Sequence, residues 1–267
     1  MSRVSYSTLK PAEGFAPVAE GERSTNEMKL QKLKTCAICG KNPATTRDHI
    51  PPKGIFPKPR PSDIISVPAC RPCNKSTSDF DEVFKVFMGI AGGHSPEGER
   101  MFKEQTIHTL QHNLRLKKEI AGTLRNVWVK TSGGIILGKE PAVLLNSKAH
   151  DQIIEKTIRG LHFYHTGNIL GDQADISINW HYSLTEKMYK MSVTWMSGVV
   201  GNGQFIYKFF THPEEPLASV WILQFFNRAW SSGTVLPKGK GIRSNKSLPL
   251  SFDMKGRQYG EGLRQSL

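Results

Sequence analysis

Negative charge is what this chain lacks most. Its 267 residues carry 23 Asp and Glu against 36 Lys and Arg, a formal net charge of +13. A surplus of that size favours polyanion partners, because each neutralised phosphate releases counterions. Long apolar runs are also missing, so no segment reads as a bilayer span. The N-terminal stretch MSRVSYSTLKPAEGFAPVAEGERS has no apolar core of the kind a secretory signal needs. A soluble, cytoplasmic protein with no membrane partner is therefore expected. There is no internal repeat and no Gly-rich phosphate loop of the P-loop kind. Cysteine is scarce too, with four in all.

Those four are not scattered. Cys36, Cys39, Cys70 and Cys73 form two C-x2-C knuckles, CAIC and CRPC, separated by thirty residues. Each knuckle can place two thiolates on one ion, and four thiolates suit a tetrahedral zinc site. Disulfides are the competing reading, and a reducing compartment argues against them. A zinc held by four cysteines has no open position, so it would hold a small module together and do no chemistry.

The excess of positive charge gathers around the same cysteines. Residues 29–75 hold ten Lys and Arg against two acids, Asp48 and Asp63, and residues 236–267 hold seven against two. Between the knuckles lies TTRDHIPPKGIF, which sets Asp48 beside His49. A histidine can take a proton from water near neutral pH, and a carboxylate can hold a hard cation such as Mg²⁺. Together they can generate a nucleophile beside a phosphate. Asn74 follows the second knuckle directly, and its side-chain oxygen can also reach a metal. Pro51 and Pro52 stop the strand that carries the pair. Arg47, Lys53, Lys58, Arg60, Arg71 and Lys75 are the candidate phosphate contacts. The loop KGIFPKPRPS reads equally well as a solvated basic loop.

Taken together, CAICG, RDHIPP and VPACRPCNK resemble the HNH endonucleases, the zinc-stapled branch of the ββα-metal nucleases. The resemblance covers about residues 34–90. It implies two antiparallel strands and a helix packed across them, with the site in the cleft. By that resemblance His49 is the general base, and Asp48 and Asn74 hold a catalytic Mg²⁺ or Mn²⁺. The substrate it implies is DNA, in a bacterial or phage defence or mobile-element setting. The sequence departs from the family at its middle Asn, whose position holds Ile65. Asp63 and Ser66 are the nearby polar groups that could replace it.

The remaining chain reads as an α+β protein. Residues 1–28 are expected to form an irregular arm, 29–92 the zinc and nuclease module, and 93–126 a helical connector. Residues 127–235 would form a domain with a helix packed on an antiparallel sheet, and 236–267 a loose basic tail. In 79–93, Phe80, Val83, Phe84 and Phe87 fall on one helical face, and Ser78 with Asp81 reads as a capping box. Met101, Ile107, Leu110, Leu114, Ile120 and Leu124 form a stripe over one helix or two. SKAHDQIIEKTIRGLHFYHTG is an amphipathic helix closed by Gly167, with His162 and His165 structural. DISINWHYS, MYKMSVTWM, GVVGNGQFIYKFF and SVWILQFFNRAW read as strands. Their aromatics, spaced at period two, read as a core face rather than a base-stacking platform.

These readings predict a metal-dependent endonuclease, as a homodimer or with a partner protein. A second reading is a zinc-stabilised nucleic-acid-binding or adaptor protein without catalysis. A third is a nuclease subunit licensed by a partner.

Overall fold

The computed structural model describes residues 35–91, 95–130, 135–145, 147–181, 184–239, 250–253 and 258–259. The arm expected over 1–28 lies outside the described residues. The fold is mixed α+β, with antiparallel sheets and packed helices. No helix among the described residues is long and apolar enough to cross a membrane.

Among the described residues the first elements are strands β1 (Thr46–Ile50) and β2 (Ile65–Ala69), paired antiparallel with His49 opposite Ser66 and Asp48 opposite Val67. β1 ends at Ile50, just before Pro51 and Pro52. The connecting loop is anchored by Ile55 and Phe56, both fully buried, and Gln105 Nε2 donates to the Phe56 carbonyl at 2.9 Å. Two helices follow, α1 (Arg71–Lys75) and α2 (Ser78–Ala91). Phe84 and Phe87 on α2 are buried, as their spacing predicts. The expected capping box is corrected. Ser78 donates its hydroxyl back to the Lys75 carbonyl, and Thr77 accepts from the Asp81 amide.

Next come α3 (Pro96–Met101), a π turn (Phe102–Thr106), α4 (Ile107–His112) and α5 (Leu114–Gly122). The chain breaks at Asn113, whose side chain caps α5 by accepting from the Leu116 amide at 2.9 Å. The π turn and this break shift the helical phase. The expected stripe therefore fails at Leu114, which is 61% exposed, while Leu116 is buried.

Strands β3 (Arg125–Lys130) and β4 (Ile136–Leu145) pair antiparallel. The expected turn between them, like most of the expected basic tail, lies outside the described residues. Two short pieces of that tail are strands: β10 (Leu250–Asp253) pairs with β4, and β11 (Gln258–Tyr259) pairs with β10. The long helix α6 (Ser147–Thr166) ends as expected, with Gly167 at φ 73° donating to the Phe163 carbonyl at 2.8 Å.

The larger sheet has the order β5-β9-β8-β7-β6. Its strands are β5 (Ala174–His181), β6 (Met196–Val200), β7 (Phe205–Thr211), β8 (Ser219–Phe225) and β9 (Ala229–Pro237). Phe205, Tyr207, Phe209, Trp221 and Phe225 are buried on one face, with Phe209 stacked on Trp221 at 4.7 Å. Each such ring contributes roughly 2–3 kcal/mol of apolar burial. The period-two aromatics of β7 and β8 are core, whereas Tyr189 of MYKMSVTWM is 59% exposed.

Two local readings are corrected. The segment MYKMSVTWM forms helix α7 (Glu186–Met191) and a short 3-10 turn, not a strand. SVWILQFFNRAW is two strands, because Phe226 and Asn227 take φ of 52° and 57° and turn the chain.

Helix α6 joins these parts. It packs on β1, β2 and α2, and also on β5 and β9. Gly160 permits the close approach, since a Cβ there would lie 2.6 Å from Ile50 Cγ1.

Candidate metal centre and the two faces of the first hairpin

The four thiols converge. The Sγ atoms of Cys36, Cys39, Cys70 and Cys73 lie within 4.8 Å of one another. Cys39 and Cys70 are 4.0 Å apart, near the edge of a tetrahedron with ~2.3 Å metal–sulfur bonds. No disulfide forms among them. The first knuckle turns at Gly40 (φ 67°), and Gly40 N donates to the Cys36 carbonyl at 2.9 Å. The second caps α1, with Cys73 N donating to Cys70 Sγ at 3.5 Å. Burial pushes the Cys36 and Cys73 thiols up. Burial also acts against ionisation of Cys39, yet N–H donors from Asn42 and Lys41 and the thiols of Cys36 and Cys73 hold it at about 7. A bound cation would favour all four thiolates. These residues fit a metal such as zinc, which would tie the two knuckles together.

The predicted catalytic residues divide between two faces. Successive strand residues point to opposite sides of the sheet. Thr46, Asp48 and Ile50 share the side covered by α6, while Arg47 and His49 share the other.

Asp48 is buried against a lysine that sequence reading missed. Lys156 Nζ from α6 lies 2.6 Å from Asp48 Oδ2, with the two side chains 5% and 8% exposed. The ammonium is the only partner that Oδ2 meets among the described residues. Lys156 also donates to Thr77 Oγ1 at 2.9 Å and to the Asn74 carbonyl at 3.4 Å. Burial raises the Asp48 carboxyl, and the Lys156 ammonium pulls it back. Asp81 feels the same opposition, with its carboxyl near Thr77 and Lys156. One signal for Lys156 was available, since it stands three residues after Ile153 and four before Gly160, on the buried side of the helix.

Asn74 turns its amide inward. Nδ2 donates to Thr46 Oγ1 and to the Arg47 carbonyl, both at 3.1 Å. That ties α1 to β1, the strand that carries His49.

His49 is half-buried, and none of the described residues hydrogen-bonds to its ring. Burial lowers its pKa first, and the charges of Lys53, Arg47 and Arg60 lower it further against the opposing pull of Asp48. These influences together favour the neutral imidazole. Directly across the ladder, Ser66 Oγ accepts from Arg47 Nε at 3.0 Å and from Arg47 Nη2 at 2.9 Å. Arg60 Nε donates to the Lys53 carbonyl at 3.0 Å. Lys58, Arg71 and Lys75 are exposed. Asp63 is engaged elsewhere, since its carboxylate accepts from Gly201 N at 3.1 Å.

In this arrangement the predicted Mg²⁺ ligands do not fit a divalent ion. The Asp48 carboxylate is paired with an ammonium, Asn74 offers its N–H groups to the strand, and His49 points to the other face. Among the described residues, the four cysteines are the only group of three or more His, Cys, Asp or Glu placed to hold a metal.

A second constellation has hydrolase geometry without access. His150 Nδ1 lies 2.8 Å from Asp151 Oδ1, and Nε2 lies 2.9 Å from Ser231 Oγ. Ser231 is fully buried and His150 nearly so, walled by Phe84, Phe87 and Trp180. No substrate carbonyl reaches such a serine, so the trio is a satisfied core network.

No family model, no curated protein and no solved structure matches this chain.

Proposed function

We propose that the chain is a nucleic-acid endonuclease of the HNH type, stapled by zinc, in which His49 is the general base. The observation that carries this reading is His49 itself. It is a half-buried imidazole with no hydrogen-bond partner among the described residues, on a strand face shared with Arg47, and its pKa is lowered by burial and by Lys53, Arg47 and Arg60. The order of two antiparallel strands and then helices supports the ββα reading. A net charge of +13 suits a DNA substrate.

The residues assign the steps as follows. His49 takes a proton from the attacking water as the new P–O bond forms. Arg47, Lys53 and Arg60 neutralise the charge that builds on the phosphorane oxygens. The P–O3′ bond breaks, and solvent protonates the departing oxygen. Arg47 is oriented for this by Ser66, and Asn74 braces the strand beneath His49.

The test is nicking of supercoiled plasmid by the zinc-loaded protein and by His49→Ala, with DNA retention measured in parallel. Cleavage lost in the variant with binding kept supports the enzyme. A second reading, a zinc-stabilised binding module, is favoured by the burial of Asp48 against Lys156. It requires that both proteins bind and neither cuts.

A further inference from the structure

We propose that Lys156 is a built-in substitute for a divalent cation: its ammonium fills a cation site made of the Asp48 carboxylate, the Thr77 hydroxyl and the Asn74 carbonyl. The consequence for catalysis, which rests on the nuclease reading above, is that the chemistry at His49 needs no divalent ion.

The donor set argues for a cation site. Lys156 Nζ lies 2.6 Å from a carboxylate oxygen of Asp48, 2.9 Å from the hydroxyl of Thr77 and 3.4 Å from the carbonyl of Asn74. The Asp81 carboxyl lies in the field of the ammonium as an outer neighbour. A carboxylate, a hydroxyl and a carbonyl make an all-oxygen set of the kind hard cations take. An ammonium is a compact point charge with three donors and can occupy the same place.

The protein delivers that charge from far away in sequence. Lys156 sits mid-helix on α6 and reaches Thr77 across 79 residues. Both Asp48 Oδ2 and Asp81 Oδ1 are buried. A buried carboxylate such as that of Asp48 is costly to leave without a cation beside it. Of the residues the family resemblance assigns to the metal, Asp48 gives its carboxylate to this ammonium, and Asn74 gives its backbone carbonyl while its side chain binds β1. The lysine thus takes the ion's place structurally. The phosphate-facing work is left to Arg47, Lys53 and Arg60 on the opposite face.

The experiment is Mn²⁺ binding followed by electron paramagnetic resonance, to which zinc is silent, on zinc-loaded protein in divalent-free buffer. The parent is expected to show no Mn²⁺ uptake that depends on Asp48. Lys156→Met, with Lys156→Gln as the second variant in case the first does not fold, is expected to bind Mn²⁺ at least ~10-fold more tightly. Adding Asp48→Asn to either should remove that gain. One Mn²⁺ per parent chain, lost in Asp48→Asn, overturns the proposal. So does a folded Lys156 variant that still takes up no Mn²⁺, because the oxygen set would then not be a cation site. Plasmid nicking by the parent in the same divalent-free buffer separates the two claims. Nicking that appears only when Mg²⁺ is added sinks metal independence and leaves the nuclease reading standing. No nicking under any ionic condition sinks the nuclease reading, while the Mn²⁺ titration still decides the lysine.

Discussion

Lys156 and Asp48 form an almost fully buried ion pair between helix α6 and strand β1. Removing one member of such a pair leaves an uncompensated charge in the interior. Lys156→Met is expected to lower unfolding stability by about 3–5 kcal/mol. The double variant Asp48→Asn/Lys156→Met should cost less than the sum of the single changes. Urea denaturation of the four proteins measures this coupling. Additivity to within ~0.5 kcal/mol would show that the pair is not energetically linked.

The first cysteine knuckle is docked on the chain that follows α6. A Cβ at Gly40 would lie 3.0 Å from Ile169 Cγ2, and one at Gly171 would lie 3.0 Å from the Cys39 carbonyl oxygen. The protein should bind one zinc per chain, and Cys39→Ser or Cys73→Ser should lose it. A structural zinc site supplies on the order of 10 kcal/mol, so global stability should fall sharply. Backbone amides of residues 167–173 should then exchange faster with deuterium. Unchanged exchange there would mean the knuckle and that loop are uncoupled.

Acid should destabilise the sheet domain through two histidines. Burial holds His162 at about 4, and burial with the charge of His162 holds His165 at about 4, both down from 6.5. Their contribution is complete above pH 6.5, where the unfolded chain also leaves them neutral. Below that the unfolded chain binds protons that the folded chain refuses, so stability falls as pH drops toward 4. Each residue contributes roughly 1.4 kcal/mol per pH unit in that window. Thermal melts from pH 7.5 to 4 should show a shallower decline for His165→Gln, which keeps a polar group near the Tyr207 hydroxyl.

Gly160 is required by packing rather than by backbone conformation. Ala is the better helix former by about 1 kcal/mol. Its Cβ, however, would lie 2.6 Å from Ile50 Cγ1 and 2.7 Å from Ile50 Cδ1, and overpacking costs about 1–3 kcal/mol. Gly160→Ala should therefore destabilise, and trimming the partner with Ile50→Val should recover part of the loss. Gly122 meets nothing within 4 Å, so Gly122→Ala should be neutral or stabilising by the same melts.

Ser231 should ignore a fluorophosphonate probe in the native protein, because its hydroxyl is fully buried behind His150. Stoichiometric native labelling would mean the core around Trp180 opens to solvent.

The knuckle spacing, the α6 periodicity with its Gly167 stop, and the aromatic core face were legible in the sequence, because each depends on short-range pattern. The strand reading of MYKMSVTWM failed for a local reason. Thr185 caps the segment by accepting from Met188 N at 3.2 Å, and Glu186 pairs with Lys190 one turn on. Those contacts outweigh a period-two alternation. The β8–β9 turn was hidden because a phenylalanine, not a glycine, holds its first positive φ. The partner of Asp48 was harder to read. Strand alternation alone says that Asp48 and His49 diverge, but only the tertiary path of α6 says that a lysine waits on Asp48's side.

That path has a consequence for how the chain comes together. The inner side of the first hairpin is closed by Gly160 and Lys156, which a ribosome adds long after Ile50 has emerged. Until then Asp48 and Ile50 face water or a temporary cover. Contacts of such sequence separation slow folding, because the loop between them must be closed first. The hairpin should therefore acquire its protection from solvent exchange late, in the same kinetic phase as α6, even though the chain writes it first.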